Sequence, residues 1–295
     1  MPVGVEVVDD ARAELGEGPI WDDTAGRLLW IDHPSRRVLW HSPGSGTASR
    51  WLTVPGRPGC VALRRDGGMV VALPDGVWAL PAGAEEESEA LRLAALPGAR
   101  EGITLNDGAC DPTGRFWVGS VVDRGRDAAG VLWRLEPGGE MRPALSGLKL
   151  SNGMDWSLDG RTFYHVDSLA RRVDSFSIDL DDGTLHDRRP LIDLGSEDVL
   201  PDGLTMDTDG CIWVALWGGW AVRRYTPDGH LDQAIHLPVA QVSSCTFGGP
   251  TYEDLYVTTA REGLSAAELA GQPMAGGLFR CRPGAQGLPA HRFGG

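Results

Sequence analysis

The stretch SNGMDWSLDGRTFYHVD, residues 151–167, contains the pattern from which the fold of this chain can be predicted. The polar residue Asn152 opens a short apolar run, Asp159-Gly160 marks a turn, and a second run rich in aromatic and β-branched residues follows. Apolar runs separated by Gly and Asp are typical of two antiparallel strands joined by a tight turn. Variants of this unit recur along the whole chain.

A glycine turn followed by a strand-like run occurs five times, with a sixth, degenerate copy. Successive turns are 41, 47, 46 and 50 residues apart, with 43 more to the degenerate copy. This period is typical of propeller blades. The turns lie at Gly26, Gly67, Gly114, Gly160 and Gly210, and the degenerate copy begins at Glu253.

A second series of six turns, from Pro43-Gly44 to Pro283-Gly284, interleaves with the first. Two hairpin turns per period imply four strands per unit. The sequence therefore predicts an all-β fold, a six-bladed β-propeller with four antiparallel strands per blade. No linker interrupts the pattern, so residues 1–295 are expected to form one domain. The strand-like run Val3–Val8 is left over, and we expect it to join the last blade and close the ring.

Composition excludes several classes of function. The formal net charge is −14, which argues against binding of nucleic-acid phosphates or anionic lipid. No run approaches the roughly 18 apolar residues that span a bilayer, and the N-terminus has no secretory pattern, so a cytoplasmic protein is expected. The five cysteines show no C-x-x-C spacing, which favours buried apolar residues over a disulfide framework or zinc ribbon.

The phase of the repeat brings polar residues together at one mouth of the central channel. Asn106, Asn152 and Asp202 stand eight residues before their marker glycines, and Glu17 stands nine before Gly26. Equivalent positions of a ring converge on its axis, so two carboxylates and two amides are expected to meet there. Oxygen donors of this kind suit a hard divalent cation such as Ca²⁺, Mg²⁺ or Mn²⁺. Taken singly, each Asn-Gly or Asp-Gly pair could simply mark a turn.

The chain resembles the senescence-marker-protein (regucalcin), gluconolactonase and luciferin-regenerating enzyme family of six-bladed propellers. The motifs that carry the resemblance extend over nearly the whole chain: GEGPIW at 16–21, NDG at 106–108, GRFWVG at 114–119, SNGMDWS at 151–157, PDG at 201–203, SCTFGG at 244–249 and AGGLF at 275–279.

The resemblance implies a hydrolase that opens a sugar-acid lactone with the help of one divalent cation. The family's metal ligands fall on Glu17, Asn152 and Asp202, and a substrate-facing asparagine falls on Asn106. Calcium is the expected ion, with Mg²⁺, Mn²⁺, Zn²⁺ or Fe²⁺ as alternatives. Asp202 is the candidate general base that takes a proton from the attacking water.

The substrate-binding positions depart from the family pattern. Thr104 stands where the family often carries an arginine, and the loop after Gly119 contains Arg124, which could supply a positive group or be solvated. Trp217 could line a sugar-binding pocket or pack between blades, and we interpret it as a residue of the pocket. We therefore expect a retained metal centre and an altered substrate specificity.

Two other functions remain open from the sequence. One is a non-enzymatic, regucalcin-like propeller that binds a divalent cation, and the other is a metal-dependent esterase or phosphotriesterase. A serine hydrolase is not indicated because Gly-x-Ser-x-Gly is absent. His33 and His165 are expected to be buried hydrogen-bonding groups. The expected partner is a small sugar lactone, and a closed ring favours a monomer.

Overall fold

The computed structural model describes residues 3–44, 49–84, 89–122 and 127–295. Within these ranges the strands form six four-stranded antiparallel sheets, so the predicted six-bladed propeller is confirmed. The described helical elements include α1 (Ala266–Gly271) and a 3₁₀ turn (Ser168–Ala170). No described helix has the length and apolar character to span a membrane.

The first three blades follow the chain in order, and each starts with its innermost strand. Their strands are β2 (Gly16–Asp22), β3 (Arg27–Asp32), β4 (Arg37–His41) and β5 (Arg50–Thr53); β6 (Val61–Leu63), β7 (Met69–Leu73), β8 (Gly76–Leu80) and β9 (Leu91–Ala95); and β10 (Ile103–Cys110), β11 (Phe116–Val122), β12 (Gly130–Leu135) and β13 (Met141–Leu148).

The last three blades continue the same order until the ring closes. Their strands are β14 (Ser151–Trp156), β15 (Thr162–Asp167), β16 (Arg172–Ile178) and β17 (Leu185–Asp193); β18 (Leu200–Met206), β19 (Ile212–Trp217), β20 (Ala221–Tyr225) and β21 (Leu231–His236); and β22 (Val242–Gly248), β23 (Asp254–Thr259), β24 (Leu278–Cys281) and β1 (Val5–Asp9).

The N-terminal strand closes the ring, as predicted. β1 pairs antiparallel with β24, with Val5 opposite Cys281. Val5 and Val7 pack against the apolar core of the last blade. The first strands of neighbouring blades contact one another around the axis. The candidate site therefore lies on a circle of six inner strands, and β1 completes the outer edge of the last blade.

The marker glycines have a conformational reason for their spacing. Gly26, Gly67, Gly114, Gly160 and Gly210 all have positive φ, between 61° and 97°. Such angles are accessible to glycine at little steric cost, and each lies in the turn between the first and second strand of its blade. All five cysteines are buried and free, in agreement with the expectation from their spacing.

In two blades a fully buried aspartate stabilises the turn between the first and second strands. Asp207 follows β18, and its carboxylate accepts hydrogen bonds from the Cys211 amide at 2.9 Å and from the Trp213 indole at 2.8 Å. It also accepts from Arg224 at 2.7 Å. Asp111 occupies the same position in the third blade and accepts from the Trp117 indole at 2.9 Å. These aspartates tie the first turn of a blade to its second strand.

Replacing Asp207 with alanine should destabilise the protein by about 3–5 kcal/mol, because the buried Cys211 amide and Trp213 indole lose their acceptor and Arg224 loses its one buried carboxylate partner. Urea unfolding followed by tryptophan fluorescence measures the change. Asp209→Ala is the matched control, since exposed Asp209 bonds the same Arg224 at 2.7 Å, and it should cost no more than about 1 kcal/mol. Equal losses in the two variants would contradict the prediction.

Candidate metal centre

The polar residues predicted to converge all lie on irregularities of inner strands. The strand register shifts between Glu17 and Ile20, between Leu105 and Gly108, between Ser151 and Met154, and between Pro201 and Leu204. Bulges of this kind re-aim side chains that regular pairing would place on a sheet face. The Asn-Gly and Asp-Gly pairs are therefore bulges within strands and not hairpin turns.

Glycine beside each polar residue lets neighbouring blades approach closely. A Cβ atom on Gly153 would lie 2.4 Å from the Leu204 nitrogen and 2.6 Å from the Asp202 carbonyl oxygen. At Gly59, in the second blade, it would lie 2.4 Å from the Leu105 carbonyl oxygen. Backbone fills that space, which explains why the second blade contributes no side chain to the polar set.

The two amides form a hydrogen-bonded pair across two blades. The Asn106 Nδ2 group donates to the Asn152 Oδ1 atom at 3.0 Å and to the Ser151 carbonyl at 2.9 Å. Asn152 in turn donates from Nδ2 to the Ser168 hydroxyl at 2.9 Å. These bonds fix the Asn152 amide, and its Oδ1 atom keeps a second lone pair for another partner.

The two carboxylates interact strongly and are removed from bulk water. Burial raises the pKa of Glu17 well above its usual value, and the charges of Asp202 and Asp107 raise this pKa further. Burial also raises the pKa of Asp202 well above its usual value; the charge of Asp107 adds to this, while a hydrogen bond from Asn152 opposes it. The structure thus brings Glu17, Asp202, Asn152 and Asn106 together.

This donor set fits a hard divalent cation. Asp202 is 6% exposed, and its Oδ1 atom has no hydrogen-bond partner among the described residues. A positive ion beside Glu17 and Asp202 would favour the charged form of both carboxylates. In the described part of the chain no three His, Cys, Asp or Glu side chains are close enough to hold a metal, so a cation here would also need the neutral oxygen of Asn152.

A buried serine–histidine pair supports the amides from behind. The Ser151 hydroxyl and the His165 Nε2 atom are 2.8 Å apart, and both residues are fully buried. Burial lowers the pKa of His165 to about 3, so the ring is neutral at physiological pH. Because the Ser151 carbonyl holds Asn106, the pair stiffens the amide network. His165 is the buried hydrogen-bonding group that was expected, whereas His33 is only half-buried, with its Nδ1 atom 2.8 Å from the Pro58 carbonyl.

The predicted substrate-binding residues have different outcomes. Thr104 is half-buried on β10, two residues before Asn106, and its hydroxyl donates to the Leu105 carbonyl at 3.2 Å. Arg124 lies outside the described residues. Trp217 is half-buried at the end of β19, where it lines a surface cavity with Leu200 and does not belong to the apolar clusters between blades.

Sequence reasoning missed three residues of the site: Asp107, Ser151 and Ser168. The charge of Asp107 raises the pKa values of Glu17 and Asp202. Asp107 directly follows Asn106 in the sequence. Ser168 follows the strand that pairs with β14, and its hydroxyl reaches Asn152 through that pairing. Counting back from the marker glycines selects one residue per blade. Residues that reach the site because they neighbour the selected residue, or through strand pairing, have no comparable pattern in the sequence.

A cavity of about 590 Å³ is lined by residues of the inner strands that follow the candidate metal ligands in the sequence, such as Met154 and Leu204. Its walls include Asp107 and Asp155, and the C-terminal segment 288–291 lines one end. Burial raises the pKa of Asp155 to about 6, although the Trp156 and Met206 amides donate to its carboxylate at 2.8 and 3.0 Å. At pH values between 3.8 and about 6, Asp155 therefore keeps its proton in the folded state and releases it in the unfolded state.

Asp155 should therefore make the stability of the protein depend on pH. The folded-state pKa of about 6 exceeds the ordinary value of 3.8, so this carboxyl group disfavours folding increasingly as pH rises through that window. The advantage of Asp155→Asn over the parent should grow by up to about 3 kcal/mol between pH 4 and pH 7. Urea titrations at the two pH values measure it. Asp198→Asn, at a fully exposed side chain, is the control, and a pH-independent difference for Asp155→Asn would contradict the prediction.

Comparison with known proteins agrees with this architecture. Residues 15–261 match the family profile described as SMP-30/Gluconolactonase/LRE-like region. The chain is 35% identical to regucalcin from Oryctolagus cuniculus and 36% identical to regucalcin from Gallus gallus, each over 300 aligned residues. Both alignments cover 99% of this chain and 99% of the relative.

Solved structures show the same fold over almost the whole chain. A calcium-binding protein, regucalcin from Agrobacterium tumefaciens, superposes with a TM-score of 0.93 at 27% identity. A luciferin-regenerating enzyme superposes with a TM-score of 0.91 at 25% identity, and both matches cover 99% of either chain. The inner-strand motifs, the six closed blades and these similarities together place the chain in the SMP-30/gluconolactonase/LRE-like family.

Proposed function

We propose that this protein is a divalent-cation-dependent hydrolase that opens a sugar-acid lactone. The observation that carries the proposal is the buried Asp202 carboxylate, whose Oδ1 atom has no partner among the described residues and which lies beside Glu17. Two such carboxylates with raised pKa values are typical of a site built around a cation or a proton transfer. Membership of a family that includes gluconolactonases points to lactone hydrolysis.

Glu17, Asn152 and Asp202 would hold the cation. All three present oxygen, and two carry charge, which suits Ca²⁺ first and leaves Mg²⁺, Mn²⁺, Zn²⁺ or Fe²⁺ as alternatives. When bound, such an ion supplies Lewis acidity, which polarises the lactone carbonyl and lowers the pKa of water. The hydrogen bonds of Asn152 to Asn106 and Ser168 orient its amide for this role.

Asp202 would act as the general base that removes a proton from the attacking water. Its Oδ1 atom has no hydrogen-bond partner among the described residues, and a cation that favours the charged form of Asp202 would keep the carboxylate ready to accept a proton. Burial excludes competing solvent from the same carboxylate, since Asp202 is almost inaccessible. Asp202 would therefore combine the roles of ligand and base.

Asn106 would bind the substrate as a hydrogen-bond acceptor. Both hydrogens of its Nδ2 group are already donated, one to Ser151 and one to Asn152. Its Oδ1 atom remains to accept a hydrogen bond from a hydroxyl group of the sugar acid. Thr104, two residues earlier on β10, would add a neutral contact where the family often has arginine, and Arg124 would supply positive charge from its loop.

Activity should depend on both lactone and cation. Protein stripped with a chelator should lose at least about tenfold of its activity on a panel of aldonolactones, and added Ca²⁺, Mg²⁺, Mn²⁺ or Zn²⁺ should restore it. A pH-indicator assay for acid release, corrected for spontaneous opening, measures the rates. Absence of activity on every lactone with each metal would overturn the proposal.

Asp202→Asn should lower kcat by at least about a hundredfold and weaken cation binding, since it removes both the base and a charged ligand. Stopped assays and calorimetric cation titration test the two effects separately. Asp155→Asn, which neutralises another buried channel carboxylate, is the control and should keep cation affinity within a fewfold of the parent. Full activity with intact metal content in Asp202→Asn would remove it from the proposed roles.

A second candidate is a regucalcin-like propeller that binds a divalent cation without catalysis. The support for it is the Agrobacterium tumefaciens neighbour, which is described as a calcium-binding protein. Calcium binding that depends on Glu17 and Asn152, with no turnover of lactones, carboxylic esters or phosphotriesters, would favour this function. Turnover confined to esters or phosphotriesters would instead favour the esterase alternative.

A further inference from the structure

The segment of residues 286–295 contacts the mouth of the channel that lies opposite the candidate metal centre. The Thr208 amide, just after β18 in the fifth blade, donates to the Gln286 carbonyl at 2.8 Å. Gly287 forms an antiparallel β-bridge with Asp207. β18 begins near its candidate metal ligand and ends at this turn, so these contacts lie at what we call the far mouth of the channel.

The other end of the segment pairs with the second blade. The Phe293 amide donates to the Leu63 carbonyl at 2.8 Å, and the Arg65 amide donates to the Phe293 carbonyl at 2.9 Å. These bonds form a parallel β-bridge with Arg64, directly after β6. The strands β6 and β18 are the inner edge strands of the second and fifth blades. Those blades stand opposite each other in a ring of six, so the segment crosses the channel from one side to the other.

The middle of the segment forms one end of the cavity of about 590 Å³. The residues that line it there are Leu288, Pro289, Ala290 and His291. Leu288 is also 40% exposed, so one side of the segment faces solvent and the other faces the cavity. Gly18, which directly follows Glu17, lines the same cavity. The cavity therefore extends from the neighbourhood of the candidate metal centre to the crossing segment.

Phe293 anchors the segment. Its side chain is 1% exposed and packs in the apolar cluster shared by the second and third blades. On one side of it, Arg292 donates to the Asp23 carboxylate of the first blade, and on the other the Gly294 amide donates to the Gly114 carbonyl at 2.9 Å. One buried ring and a few hydrogen bonds thus hold a partly exposed segment, much as an extended peptide adds to the edge of a sheet.

We propose that residues 286–295 form a strap that closes the far mouth of the channel, and that release of the strap opens the cavity to solutes. The strap detaches at a lower free energy than a blade unfolds, because no strand of a blade has to leave its sheet. While the strap is in place, solutes enter the cavity from the side of the candidate metal centre. The strap would act in the same way in a protein that only binds a cation.

A cysteine placed in the channel wall tests whether the strap closes the far mouth. Thr205 is half-buried on β18 and lines the cavity, whereas all five native cysteines are buried. Dithiobisnitrobenzoate, a bulky thiol reagent, should react slowly with Thr205→Cys protein. Adding Phe293→Ala should raise this rate by at least about tenfold, because the strap loses its anchor and opens more often. Phe176→Ala, which removes a buried ring from the fourth blade, is the matched control and should leave the rate unchanged.

A peptide distinguishes release of the strap from general unfolding. A synthetic peptide with the sequence of residues 286–295 should slow the labelling of the Thr205→Cys, Phe293→Ala protein, because it pairs with the same strand edges and supplies the missing ring. The same peptide carrying Phe293→Ala should have no effect. Equal labelling of Thr205→Cys protein with and without Phe293→Ala would overturn the strap. An equal increase in the Phe176→Ala control, or an increase that the peptide does not reverse, would overturn it as well.

Discussion

Glu17 and Asp202 come from the first and fifth blades and meet on the axis of the ring, where burial and the charge of Asp107 raise the pKa values of both carboxyl groups. Two carboxylates in such a place destabilise the fold unless they are protonated or paired with positive charge. Much of the surrounding structure serves to keep them there. The bulges turn the side chains inward, and glycines let the blades approach closely. The hydrogen bond between Asn106 and Asn152 fixes the amide group that bonds Asp202.

The fold was predictable because each blade needs a glycine at the same turn. Each glycine at positive φ between the first and second strands is a local requirement, so it appears in sequence with the period of the blades. The role of the N-terminal strand was also predictable, because six units of four strands left the run Val3–Val8 without a place except in the last blade. What could not be predicted is that the polar residues lie in bulges, because Asn152-Gly153 and Asp202-Gly203 are equally compatible with hairpin turns when only local preferences are considered.

The site was predictable in part for the same reason. Residues at equivalent phases of a closed ring must converge, and this argument selected Glu17, Asn106, Asn152 and Asp202 without any distance. It could not select Ser168 or Ser151, because their roles arise from bonds between strands and blades that lie far apart in sequence.

Closure of the ring through β1 and β24 also has a consequence for how the protein is made. Val5 and its partner Cys281 lie far apart in the sequence, so β1 has no pairing partner until β24 has been synthesised. Until then the last blade contains only the pair β22 and β23, because β1 joins the sheet through β24. Contacts of such long sequence separation form slowly. The last blade, whose inner strand β22 contacts β2 and β18, is therefore completed late, so the candidate site on β2, β14 and β18 reaches its final packing only after β24 has been synthesised.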